Sequence, residues 1–205
     1  MATEEQFWNW FKENEAKFYF LGQVDDHDSR EALLDELMLH IHGYCDELYF
    51  EVGGLPDEKQ DLIITAQGKS DFFPKVDSLV DAAPSLEHWN IIAFKPAVGE
   101  GIIEYNDIRL DSGTMFFIPL ENPKEPQSIG IRVYTDNYDD SRIKEFRYAT
   151  YLVLDDVLGE KSFALDIDYV DVKATPPIAE RESLIELNRL PSYVAWKKSK
   201  SNPES

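Results

Sequence analysis

DLIITAQGKSDFFPKVDSLVDAAPSLEHWNIIAFKP, residues Asp61 to Pro96, reads as strand, helix, strand. Leu62 to Ala66 is a short apolar run rich in β-branched residues and closed by Gly68, which suits a buried strand. Ser70 stands where a helix N-cap would stand. Phe72, Phe73, Val76, Leu79, Val80 and Ala83 then recur at three- and four-residue spacing until Pro84 stops the helix. Trp89 to Phe94 is apolar on both faces, the pattern of a central strand. A unit of this length is expected to give two parallel strands joined by a right-handed crossover.

Upstream, Thr3 and Gln6 form a capping box before a helix crowded with aromatic residues: Phe7, Trp8, Trp10, Phe11 and Phe18. Rings at helical spacing are expected to dock on the body of the domain. Asp28 and Glu31 suggest a second capping box, before a helix striped by Leu33, Leu34, Leu37, Met38 and Ile41 and ending near Gly43. Leu48 to Val52 reads as a strand closed by Gly53-Gly54.

Downstream, Asn106-Asp107 is a two-residue hairpin signal between Gly101–Tyr105 and Ile108–Leu110. Met115–Leu120 and Ser128–Tyr134 continue as strands, so this third reads as an antiparallel meander. DNYDDSR, residues 136–142, caps a helix striped by Ile143, Phe146, Thr150, Val153, Leu154, Val157 and Leu158, with Gly159 at its C-terminus. Phe163–Val172 is predicted as a long strand, with Asp166 and Asp168 on one face. Glu180–Leu190 is predicted as a last helix.

The expected fold is therefore α+β: one mixed, mainly antiparallel sheet of about six to eight strands, with one strand-helix-strand crossover and helices packed on it. It would form a single domain over residues 1–196, with a flexible tail at 197–205.

Two stretches, Leu62–Pro96 and Leu152–Val172, resemble a family of bacterial cytosolic proteins of no assigned activity. Its members pair an ITA-G…LV-AAP…AF-P segment with a later LLD-LGE helix end running into a strand. Leu190, Pro191, Tyr193 and Trp196 are similar to that family's closing pattern. The match departs after Glu160, where Lys161-Ser162 replaces an aromatic-acidic pair. The resemblance implies a single-domain cytosolic bacterial protein and no particular reaction.

Charge narrows the function classes. The 205 residues carry 40 Asp and Glu against 20 Lys and Arg, a formal net charge of −20. Such a surface repels nucleic-acid phosphates and anionic lipid and attracts a basic protein partner. No apolar run approaches the roughly 20 residues of a membrane span. The N-terminus has no signal-peptide pattern, and the single cysteine, Cys45, rules out an internal disulfide. A cytoplasmic protein is expected, with no nucleic-acid or membrane partner and with its oligomeric state open.

The nearest approach to a metal motif is His40, His42 and Cys45. His40 and His42 fall on different sides of a helix, and neither a metal nor a cofactor is expected. Asp25-Asp26-His27-Asp28 lacks calcium-loop spacing and reads as a solvated loop with a helix cap. Charged residues on apolar strands need partners. Glu51, Lys95, Arg132, Asp166 and Asp168 are the candidate catalytic or binding residues, should the sheet bring them to one side. The plain alternative is a solvated sheet face with cross-strand ion pairs. The favoured reading is an acidic, non-enzymatic binding protein, immunity- or inhibitor-like toward a basic partner. Its competitors are a small-molecule or enzymatic site on that sheet face, and a scaffold built on the aromatic N-terminal helix.

Overall fold

The computed structural model describes residues 1–54 and 58–201. The chain gathers into two compact units, Met1–Lys95 and Pro96–Ser205. The fold is α+β, with six α-helices among the described residues. The strands, however, form three sheets of three, two and four strands, not one sheet of six to eight. Each group of strands buries its apolar face against its own helices: the first against α2 and α3, the others against α4. No helix among the described residues is long and apolar enough to cross a membrane.

In the first unit, α1 (Glu4–Tyr19) starts at the predicted capping box: the Gln6 backbone N–H donates to Thr3 Oγ1 at 3.2 Å, and Thr3 N–H donates to Gln6 Oε1 at 2.9 Å. Phe7, Trp8, Phe11 and Phe18 are buried, and Trp8 Nε1 donates to the Leu79 carbonyl at 2.7 Å. These rings are core, so they are not available to a scaffold partner. Helix α2 (His27–Tyr44) is capped by Asp26, two residues before the expected Asp28, because the Asp26 carboxylate accepts the Ser29 N–H at 2.9 Å.

Strands β1 (Tyr49–Gly53) and β2 (Gln60–Thr65) pair antiparallel. Ser70 caps no helix by its side chain. A short 3-10 turn, Ser70–Phe72, comes first, and α3 (Phe73–Asp81) begins with Pro74 in its opening turn, where a missing N–H costs nothing. Strand β3 (Trp89–Ala93) runs parallel to β2, as expected. It is an edge strand rather than the central one, since the order is β1-β2-β3. β2 holds the centre, with Leu62 and Ile64 fully buried. Phe94, just beyond β3, adopts φ 65°, unusual for a bulky side chain; its N–H donates to Ile64 O at 2.8 Å and its ring lies 4.7 Å from Phe73.

In the second unit, β4 (Ile102–Tyr105) and β5 (Ile108–Asp111) form the predicted hairpin, with Asn106 and Asp107 both at positive φ (44° and 61°), as a tight primed turn requires. Strands β6 (Phe116–Leu120) and β7 (Gly130–Thr135) pair antiparallel in a different sheet, so the predicted meander is divided. Helix α4 (Ile143–Leu158) presents the predicted stripe and ends at Gly159, φ 78°.

The predicted long strand over 163–172 is wrong for its first half. Helix α5 (Glu160–Asp166) forms there, from residues of good helix propensity and with Ser162 Oγ donating to Asp166 Oδ2 at 2.8 Å. Strand β8 (Tyr169–Ala174) follows and runs parallel to β7, which makes a second crossover where one was expected. The predicted helix over 180–190 is also replaced. Strand β9 (Ile185–Glu186) pairs with β6, and α6 (Leu190–Ser201) starts just before Pro191. Residues 197–201 of the expected tail are helical; 202–205 lie outside the described residues. The core of this unit joins Phe117, Ile131 and Val133 to Val153, Leu154, Val172, Leu187 and Leu190.

Phe11 is completely buried, stacks on Phe18 and meets Trp89 edge-on at 5.3 Å. Phe11→Ala should therefore destabilise the first unit by about 3–5 kcal/mol, read from the denaturation midpoint in urea. A loss below about 1 kcal/mol would show that α1 is not docked as described.

Candidate functional site

The acidity of the chain is uneven. Residues 1–95 hold 20 Asp and Glu against 7 Lys and Arg, a balance of −13, whereas residues 96–205 hold 20 against 13. Within the first unit the carboxylates concentrate at the start of α2, where Asp25, Asp26, Asp28, Glu31 and Asp35 are all exposed. The helical period places Asp28, Glu31 and Asp35 along one outer stripe. Leu37 and Ile41 are turned into the core, so the amphipathic helix fixes the direction of its acidic side. Arg30 lies within this stretch, Lys17 reaches Glu36 at 3.0 Å, and the His27 ring nitrogen Nδ1 lies 3.8 Å from Asp28. Asp26 is bound by the Ser29 hydroxyl and backbone N–H, and these two hydrogen bonds hold its pKa below the ordinary aspartate value.

In the second unit Arg132, Asp166 and Asp168 are each held by a different group. Glu51 is exposed on β1, and Lys95 follows the end of β3. β2 lies between those strands, with Glu51 opposite Ile63 and Ile63 opposite Ile92. Two inter-strand steps, about 9–10 Å, and three further residues of chain therefore separate their backbones. In the second unit, Arg132 on β7 donates from Nε to Asp171 Oδ2 at 2.6 Å. Asp166 ends α5 and takes Lys198 of α6 at 2.7 Å. Asp168 lies between α5 and β8, and its carboxylate accepts the Ile129 N–H at 2.7 Å. Asp166 and Asp168 thus share no strand face, because the strand begins only at Tyr169.

Asp171 is the residue the sequence reading missed. Its signal is the clean alternation Tyr169-Val170-Asp171-Val172-Lys173, in which only Val170 and Val172 are buried. Arg132 and Asp171 sit directly opposite in the β7–β8 register, on the face away from the core. The bond to Asp171, opposed by partial burial and aided by a weaker interaction with the Tyr134 hydroxyl, raises the Arg132 pKa, so the guanidinium stays charged. A pair locked in this way does not shuttle protons near neutral pH; it is a cross-strand ion pair, the plain alternative stated above.

The His40 and His42 pattern is likewise divided. The His40 ring stacks on Trp10 with centroids 3.6 Å apart, and His42 meets Tyr49 edge-on at 5.7 Å. Cys45 is buried just past the end of α2. Among the described residues, no three His, Cys, Asp or Glu side chains are grouped as a metal site would need.

No family model, no curated protein and no solved structure matches this chain.

Arg132 and Asp171 keep 36% and 16% of their side-chain surface, so solvent screens their attraction. A double-mutant cycle with Arg132→Ala and Asp171→Ala should give a coupling of about 0.5–1 kcal/mol in denaturant unfolding; strictly additive losses would show the contact is not held in solution. Asp26 supplies a pH prediction. A carboxylate whose folded pKa is depressed contributes stability that is complete above its unfolded value and is lost as pH falls through the folded one. The stability difference between wild type and Asp26→Asn should therefore shift against the wild type as pH falls from about 5 through and below the ordinary aspartate range, because Asn caps a helix without titrating. Thermal melts across that range check it, and parallel curves would sink it.

Proposed function

We propose that the protein is a non-enzymatic binding protein whose acidic first unit covers a basic surface on a protein partner. The observation that carries this reading is the exposed carboxylate stripe of α2, set in a unit of balance −13. Such a surface steers an oppositely charged partner and speeds encounter more than it deepens affinity. The chemistry suits an inhibitor or immunity-type protein that blocks a cationic site. It is equally hostile to nucleic acid and anionic lipid, whose phosphates it would repel. The buried, lone Cys45 agrees with a reducing bacterial cytoplasm as the place of action. The competing reading, acid-base chemistry on one sheet face, loses support because Arg132, Asp166 and Asp168 are each held by a different group.

The test is a capture experiment with a charge-neutralised control. Wild-type protein and the variant Asp25→Asn, Asp28→Asn, Glu31→Gln, Asp35→Asn are immobilised in a native bacterial lysate at low salt. Asp26 is kept because it caps α2. A basic protein held in stoichiometric amount by the wild type, released above roughly 0.5 M salt and not held by the folded variant, is the expected result. Equal retention by both proteins, or retention indifferent to salt, would overturn the proposal.

A further inference from the structure

The first unit holds an open cavity of about 250 Å³ lined by Phe18, Leu21, Gly22, Arg30, Val52, Gly53, Gly54 and Gln60. Its walls combine two kinds of surface. Phe18 and Leu21 are almost wholly withdrawn from solvent, and with Val52 they make the cavity's apolar side. Arg30, half-buried in the first turns of α2, supplies a cation. Its guanidinium is fixed by the backbone: Nη2 and Nε donate to the Val24 carbonyl at 2.7 and 3.3 Å. A carbonyl takes up two donors without neutralising the charge. Arg30 makes no ion pair among the described residues, in a unit where acidic residues outnumber basic ones almost three to one. By contrast Arg132 and Arg142 are both held by carboxylates.

The rim is made by residues without bulk. A Cβ at Gly22 or Gly53 would meet nothing within 4 Å, so both positions border open space. At Gly54, φ +151°, a Cβ would come within 2.8 Å of the Gln60 side chain. Glycine there lets the Gln60 amide lie against the end of β1, where its Nε2 donates to Glu58 O at 3.3 Å. The volume is below the roughly 300–1,000 Å³ of sites for drug-sized ligands, which fits a compact molecule.

We infer that this cavity is a binding site for a small organic anion: a carboxylate seated on the Arg30 guanidinium, with a short apolar body against Phe18, Leu21 and Val52. A preorganised guanidinium recognises a planar carboxylate with little further loss of side-chain freedom. The inference is independent of the acidic face of α2, and its failure would leave that proposal standing.

Isotope-labelled full-length protein is titrated with benzoate, phenylacetate and isovalerate, and with benzamide and benzylamine as neutral and cationic counterparts of benzoate. The expected result is saturable shifts of the Gly22, Gly53 and Gly54 amides by the carboxylates in the millimolar range, with benzamide and benzylamine weaker by roughly tenfold or more. Arg30→Gln should lose the benzoate response by a similar factor. Should that variant unfold, the comparison of benzoate with benzamide on wild-type protein decides alone. No saturable shift at those glycines, benzamide binding as tightly as benzoate, or a folded Arg30→Gln that binds undiminished would each overturn the inference.

Discussion

A strand buried between two others must find partners for its N–H and C=O groups on both edges. β2 in the first unit and β7 in the second meet that constraint in the same manner. Each has an antiparallel neighbour supplied by a nearby stretch of chain, β1 and β6 respectively, and a parallel neighbour, β3 and β8. Antiparallel pairing can be made by a turn or loop, but parallel pairing cannot: the chain must travel back along the sheet before the next strand starts. The helices follow from that requirement. α3 returns the chain from β2 to β3, while α4 and α5 return it from β7 to β8. The apolar stripes of α3 and α4 then face the sheets they cross, and this builds the two cores.

Function, on the reading developed above, is confined to what those cores leave outside. The aromatic side of α1 and the apolar side of α2 are committed to packing, with Trp8 anchored on the Leu79 carbonyl. The carboxylates of α2 are thereby turned outward. The Arg30 cavity lies beside the start of the same helix, where the chain bends from α1 through Leu21–Gln23 and meets the glycine end of β1. An acidic face and a small cationic recess thus share one helix. This is compatible with a binding protein whose partner surface and ligand site are neighbours.

Much of the element pattern was legible in the chain because it rests on local chemistry. The capping box of Thr3 and Gln6, the positive-φ pair Asn106-Asp107 and the stop at Gly159 are each specified by two or three adjacent residues. The misreadings have equally specific causes. Phe163–Asp166 continues smoothly into the alternation of β8, and nothing local marks the boundary except helix propensity, which is a weak force. Pro191 looks like a terminator until it is seen in the first turn of α6, where proline is welcome. Asp166 and Asp168 were read on one face of a strand that begins only at Tyr169.

By itself the sequence determined the charge, the hydrophobic periods, the caps and turns, and the presence of a parallel strand-helix-strand unit from Asp61 to Pro96. These depend on residues close together along the chain, whose spacing is fixed by covalent geometry. Only the tertiary structure decided that the strands divide into three sheets, that Asp171 and not Asp166 meets Arg132, and that Arg30 lines a cavity with no ion-pair partner among the described residues. Those outcomes depend on register and on which distant surfaces fit together. A shift of one residue reverses a strand's faces, and between strands distant in sequence it is the burial of those faces that sets the register.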